Sequence, residues 1–265
     1  MRRVVSARLD LDVESPIDLV LSIAAAAAPG IETTETLILE LDGRPVDFHE
    51  VIDDHGTRLH RALVEPGLLQ VTYDAVVLGQ AEPESAEEHD LISFLHPSRY
   101  CESDSLAPTA LAQFGGLRGM ELLDAVSSWV GTNLSYVSGS SLSTDGALRT
   151  LLARQGVCRD YAHLCVALLR ARNVPARLVS VYAPGLSPMD FHAVAEAWVD
   201  GAWHVVDATT LAPRGSMVRI ATGRDASDTA FLTTQRGRTD FHALEVTAVV
   251  DELPNDDLTA LVRLG

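Results

Sequence analysis

The amino-acid sequence predicts an α+β protein in which an N-terminal β-sandwich is followed by a mixed unit of helices and antiparallel strands. Three observations lead to this prediction. The first ninety-odd residues alternate apolar and polar side chains with a period of two, which is typical of half-buried strands. After about residue 90 the apolar spacing changes to three and four residues, as in helices. A hairpin pattern follows the helices. We therefore divide the chain into residues 1–95, the sandwich, and residues 96–265, the second unit.

The strands of the sandwich are clearest at residues 5–11, 37–41 and 69–77, and the turn dipeptides Pro-Gly and Asp-Gly lie between them. The apolar segment 19–30 is similar to an export signal, because it ends in small residues. Four acidic residues precede it, however, where an export signal carries positive charge. Its alternating Ile and Leu residues indicate a strand instead.

The acidic, proline-containing stretch 79–90 is the predicted linker between the two units. Helices are predicted over 117–132, over a shorter segment that Gly156 ends, and from Cys158 to Arg172. The segment 176–182 is then predicted to be a strand. The stretch 192–209 is predicted to form a hairpin that turns at Asp200 and Gly201.

The charge of the chain limits its partners. Its 37 acidic residues outnumber its 20 basic residues, all of them arginine, and the net charge is −17. Such a surface is unsuited to a phosphate backbone, so we expect no nucleic-acid partner. It favours cationic substrates mildly, although solubility is the better explanation of the charge. No apolar run reaches the roughly 18 residues that span a bilayer, so we expect no membrane association.

The three cysteines, Cys101, Cys158 and Cys165, form no spacing typical of a zinc site, and an odd number argues against a disulfide framework. We therefore expect a reducing compartment, the cytoplasm, and no metal or cofactor. Cys158 stands at a helix start, where free backbone N–H groups and the helix dipole stabilise a thiolate. The same N–H groups could bind an oxyanion. Cys165 lies in the apolar stripe of that helix and is expected to fill space in the core.

The predicted hairpin supplies partners for such a thiol. With a two-residue turn at Asp200 and Gly201, His192 and Asp207 lie on one sheet face at diagonal positions. Their Cβ atoms are then roughly 7–8 Å apart or slightly less. A carboxylate on one ring nitrogen leaves the other nitrogen facing the thiol, which is the arrangement of a nucleophile, a base and an orienting acid. His163 and His204 fall away from this face and are expected to be structural.

Three stretches carry a family resemblance: "GVCRDYAHLCVALLRARNVPARLVSVY", "DFHAVAEAWVDGAWHVVDAT" and "GRDASDTAF". Their order and spacing resemble the bacterial transglutaminase-like superfamily, often described as cysteine proteases, over about residues 99–231. The resemblance implies a papain-like α/β core, commonly preceded by a β-rich domain, with a catalytic triad of Cys158, His192 and Asp207. It also implies that Tyr136 lines the cleft and that Asp160 belongs to the motif that follows the cysteine. A core tyrosine and a helix-capping aspartate are equally good interpretations of these two residues.

The expected activity is that of a thiol-dependent amide hydrolase or acyltransferase, cysteine peptidase-like or transglutaminase-like, that passes through a thioester. Its substrate would be a peptide or protein amide, and water or an amine could accept the acyl group. One alternative is a binding or scaffold module that keeps the fold without catalysis. Another is a metallohydrolase using the same three residues, although no HExxH-type ligand spacing supports it.

Overall fold

A computed structural model describes residues 1–264. The strands are β1 Arg2–Val13, β2 Ile17–Leu21, β3 Ile31–Leu41, β4 Arg44–Pro45, β5 His49–Ile52, β6 Arg58–Val64, β7 Gly67–Gly79, β8 Ser135–Tyr136, β9 Gln155–Gly156, β10 Ala176–Tyr182, β11 Phe191–Val199, β12 Ala202–Val206, β13 Val218–Gly223, β14 Leu232–Thr234 and β15 Thr239–Val250. The helices are α1 Glu88–Ser93, α2 Ser103–Phe114, α3 Gly119–Asn133, α4 Ala147–Ala153, α5 Cys158–Ala171 and α6 Ala226–Thr229.

The predicted fold class is confirmed. One sheet of the sandwich has the order β15-β1-β7-β3-β4 and the other has the order β14-β2-β6-β5. The alternating residues of β1 and β7 point their apolar side chains inward, where they meet those of β2 in one core. The second unit contains a four-stranded sheet of order β12-β11-β10-β13, called the core sheet below, and α5 packs against it.

The predicted division at residue 95 differs from the structure at the C-terminal side. Strand β15 pairs with β1 along its length, and β14 pairs with β2, so residues 232–250 belong to the sandwich. After β15 the chain returns to the second unit, where the N–H of Val205 donates to the carbonyl of Val262 at 2.8 Å and Leu264 is buried. Pairing between segments more than 200 residues apart leaves no local sequence pattern, which is why periodicity did not reveal it.

The hydrophobic core of the sandwich extends into the four-stranded sheet of the second unit. The alanine-rich segment after β2 is buried, and the N–H of Ala26 donates to the carbonyl of Arg219 at 2.9 Å. Tyr73 of the sandwich stacks on Tyr182 of the core sheet with ring centroids 6.3 Å apart. The Tyr182 hydroxyl donates to the carbonyl of Ile23 at 2.8 Å. The sandwich is therefore a fixed support for the core sheet.

A buried ionic network also joins the linker to the core sheet. Arg177 of β10 is fully buried and donates from Nε to Glu196 at 2.8 Å and from a terminal nitrogen to Glu84 of the linker at 2.9 Å. Arg219 donates to the second oxygen of Glu196 at 2.8 Å. Because each buried charge has an opposite partner, the network avoids the cost of an unpaired ion in the interior.

None of the helices within residues 1–264 combines the length and the apolar character needed to cross a membrane.

We predict that Arg177→Ala lowers the free energy of unfolding by about 3–5 kcal/mol, because it leaves the Glu196 carboxylate buried with one partner fewer. Arg2→Ala is the matched control: its pair with Asp251 is exposed at 3.5 Å, and its loss should cost less than about 1 kcal/mol. Urea unfolding followed by circular dichroism measures both values. Equal losses in the two variants would show that the network does not stabilise the fold.

Candidate active site

Cys158 is the first residue of α5 and is partly exposed, in contact with the small apolar residues Ala162, Leu178 and Ala193. The helix begins there because Val157 is extended and Asp160 accepts the N–H of Val157 at 2.8 Å. The sulfur therefore lies where the first backbone N–H groups of a helix are free of intrahelical partners. Negative charge on the sulfur is stabilised at this position.

Asp160 holds the entry to this helix. Besides Val157 it accepts the hydroxyl of Ser141 at 2.9 Å, and it is almost fully buried. A Cβ on Gly156 would come within 2.6 Å of the Cβ of Asp160, so only glycine fits at that position. Since a carboxylate only accepts hydrogen bonds, Asp160 offers no donor to an oxyanion and serves to shape the helix start.

The hairpin brings His192 and Asp207 together as predicted. Val199 of β11 pairs with Ala202 of β12, and the ladder continues to Ala195 and Val206. Nε2 of His192 lies 3.1 Å from Oδ2 of Asp207, and both residues are buried.

The structure places a further residue at the carboxylate. Thr209 donates to Oδ1 of Asp207 from its N–H at 2.9 Å and from its hydroxyl at 2.7 Å. Both carboxylate oxygens of Asp207 are therefore held. The sequence analysis missed Thr209, although an aspartate followed two residues later by threonine is the signal of an Asx turn.

Charges in the site favour the imidazolium. Burial lowers the pKa of His192, but its hydrogen bond to Asp207 and its interaction with Cys158 outweigh burial and raise that pKa to about 10. Burial also opposes ionisation of Asp207, yet its contacts with His192 and Thr209 keep its pKa below the usual value. Because Nε2 faces the carboxylate, Nδ1 is left for the thiol. Nδ1 is buried and forms no hydrogen bond within the described part of the chain.

A small parallel sheet, which the sequence analysis did not predict, brings Tyr136 close to Cys158. Strand β8 pairs with β9, and the N–H of Val137 donates to the carbonyl of Gly156 at 3.0 Å, two residues before Cys158. The Tyr136 side chain is 45% exposed. Burial and its interactions with Cys158 raise the pKa of Tyr136 to about 12, so the phenol keeps its proton and can donate it.

Other candidate residues lie away from this cluster. Cys101 and Cys165 are fully buried, and burial raises the pKa of both thiols. His163 accepts the N–H of Ala226 at 3.1 Å, and burial lowers its pKa to about 3, so it stays neutral. His204 is buried one strand away, and burial lowers its pKa as well.

The comparisons with known proteins agree with this geometry. The Transglutaminase-like superfamily model matches residues 113–208. A crystal structure described as "a Putative Cysteine Protease from Cytophaga hutchinsonii" superposes with a TM-score of 0.88 at 33% identity, over 96% of this chain and 92% of that one. The chain belongs to the transglutaminase-like superfamily. Membership and the structural likeness support a thiol-dependent enzyme in general terms.

Two mycobacterial proteins, each described as an "Uncharacterized protein", match part of this chain. A protein of Mycobacterium leprae is 30% identical over 131 residues, which are 44% of this chain and 46% of that protein. A protein of Mycobacterium tuberculosis is 39% identical over 88 residues, which are 30% of this chain and 28% of that protein. The chain thus matches less than half the length of each.

We predict that iodoacetamide labels Cys158 alone in the native protein, because Cys101 and Cys165 are fully buried as neutral thiols. Mass spectrometry of tryptic peptides after labelling, with and without urea, measures this. Cys165→Ala should leave the labelling rate of Cys158 unchanged. Native labelling of Cys165 at a comparable rate would contradict the assignment.

A second prediction concerns pH. The pKa of His192 is raised above the value of about 6.5 for an unfolded histidine. Its charge therefore stabilises the fold fully below pH 6.5, and that contribution is lost as pH rises towards about 10. We expect the difference in unfolding free energy between the wild type and His192→Gln to shrink over this range. A difference that grows with pH would contradict the charged pair.

Proposed function

We propose that this protein is an acyl-transfer enzyme of the cysteine type that cleaves an amide through a thioester on Cys158. The observation that carries the proposal is the His192–Asp207 hydrogen bond of 3.1 Å, which leaves the second ring nitrogen for Cys158, a thiol at a helix start that interacts with His192. These three residues have the roles of nucleophile, general base and orienting acid.

The reaction follows from these contacts. The Cys158 thiolate attacks the amide carbon, and the carbonyl electron pair moves onto oxygen. We assign the stabilisation of this oxyanion to two donors beside the sulfur, the backbone N–H of Cys158 and the Tyr136 hydroxyl, which interacts with Cys158. As the tetrahedral species collapses, the C–N bond breaks and the His192 imidazolium gives its proton to the leaving amine. The acyl group is left on sulfur as a thioester.

The second half of the reaction regenerates the thiol. His192, now neutral, removes a proton from water or from an amine, which attacks the thioester carbon. The C–S bond then breaks, which restores the Cys158 thiolate beside the His192 imidazolium. Attack by water gives hydrolysis of the amide, and attack by an amine gives transamidation. In both steps Asp207, fixed by Thr209, keeps the imidazole in one tautomer and stabilises its charged form.

The expected partners are a peptide or protein amide as acyl donor and, for transamidation, an amine acceptor. We keep the cytoplasm as the proposed location because the three cysteines are free, as in proteins of reducing compartments.

We predict that His192→Ala lowers turnover by a factor on the order of 10²–10⁴, because it removes the general acid and base. It should also shift alkylation of Cys158 to higher pH, because the cationic partner of the thiolate is gone. Asp207→Ala should cause a smaller loss, since the imidazole remains but is misoriented. Release of ammonia or amine from a peptide library, with and without added amine, measures turnover, and iodoacetamide rates across pH measure the thiolate.

His204→Gln is the control for these variants, because it replaces a buried histidine on the opposite face of the same hairpin from His192. It should change neither the turnover nor the alkylation profile. If the profile of His192→Ala overlays that of the wild type while circular dichroism shows both folded, the triad is wrong. No turnover in the wild type, together with an ordinary alkylation profile, would favour a non-catalytic binding module.

A further inference from the structure

The loop that enters β11 carries an acidic residue beside the site that the mechanism does not use. Asp190 is exposed and precedes His192 by two residues. Side chains two residues apart in an extended chain point to the same side, roughly 6–7 Å from one another. Asp190 directly precedes β11, so its carboxylate lies next to the end of the strand that carries His192.

Electrostatic interactions indicate the same location. The charge of Asp190 acts on Tyr136, and the charge of His192 acts on Asp190. Tyr136 and His192 belong to opposite walls of the site, one on β8 and the other on β11. A carboxylate that interacts with both lies at the cleft between them.

The carboxylate of Asp190 is available to a ligand. Oδ1 accepts the N–H of Phe191 at 2.7 Å, and within residues 1–264 no arginine or histidine forms an ion pair with either oxygen. Arg159, which follows Cys158 in the chain, is engaged with Ser141 at 2.7 Å and with Asp160 at 3.8 Å. Two exposed, largely apolar side chains adjoin it: its chain neighbour Met189 is 44% exposed, and Tyr136, on which its charge acts, is 45% exposed.

We propose that Asp190 is a specificity residue that binds a cationic group of the substrate next to the scissile amide. The inference rests on the proposed function and names its substrate class: a donor or acceptor with an ammonium or guanidinium group close to the reacting atoms. A cation there would meet an unpaired carboxylate with an apolar rim, in which a positive charge is attracted and an anion is repelled. The −17 charge of the chain would add a weaker, longer-range attraction of the same sign.

The test uses thiol reagents of similar size and different charge, so it needs no knowledge of the substrate. Methanethiosulfonates with a trimethylammonium, a sulfonate or a neutral methyl group each transfer their thio group to Cys158 as a mixed disulfide and release methanesulfinate. We expect the ratio of the cationic to the anionic rate to fall at least about fivefold in Asp190→Asn. Asp200→Asn is the matched control, because it makes the same charge change at the opposite end of the same hairpin and should keep the ratio.

The outcomes separate this inference from the proposed function. An unchanged ratio in Asp190→Asn, or an equal fall in Asp200→Asn, overturns the role of Asp190. Failure of the triad has a different result: His192→Ala would then leave the rate at which the neutral reagent modifies Cys158 unchanged.

A second measurement shows which reactant carries the cation. A diamine such as cadaverine or an arginine-containing peptide amide is added while the neutral reagent modifies Cys158. Protection by the diamine identifies the acceptor, and protection by the peptide identifies the donor. Protection that persists fully in Asp190→Asn contradicts the proposal.

Discussion

The position of every group in the candidate site depends on the burial of α5. The structure buries all eleven residues from Asp160 to Arg170, so no face of this helix meets water. A helix in that position must have each polar side chain paired, since an unpaired polar group in the interior costs about 1–3 kcal/mol or more. The polar residues of α5 satisfy this requirement by binding different segments of the chain, and in doing so they fix those segments around it.

Three of these residues show how this works. Asp160 binds Val157 and Ser141 at the helix start, His163 accepts from Ala226, and Arg170 donates to the carbonyls of His96, Ala176 and Arg224. The N-terminus of α5 is therefore the part of the helix that remains open to a ligand, and Cys158 occupies it. The same helix holds Cys165 in a dry core, where the thiol is inert. One element thus places two cysteines in different environments, Cys158 partly exposed at its first residue and Cys165 buried in its interior.

The sandwich contributes rigidity to the other wall of the site. Its core continues into the core sheet through Tyr73 and Tyr182, and the Arg177 network ties the linker to β10 and β11. Strand β11 carries Glu196 of that network and also His192. Displacement of the sandwich would therefore strain the strand that positions the imidazole. Acidic residues outnumber basic ones over the whole chain, whereas the buried Arg177 is paired with Glu84 and Glu196, so net charge and internal pairing are independent features of this chain.

The sequence by itself determined the local elements and the residues that these elements bring together. Alternation of apolar residues predicted β1, β3 and β7, helical spacing predicted α3 and α5, and the Asp200-Gly201 turn set the register that pairs His192 with Asp207. In each case the cause is the period of side-chain direction along a single element or hairpin. Only the tertiary structure decided that β14 and β15 complete the sandwich, that β8 and β9 bring Tyr136 close to Cys158, and that Asp190 is exposed at the start of the strand that carries His192. These features arise from contacts between distant segments, and such contacts are selected by the burial of the whole core, which no short window of sequence records.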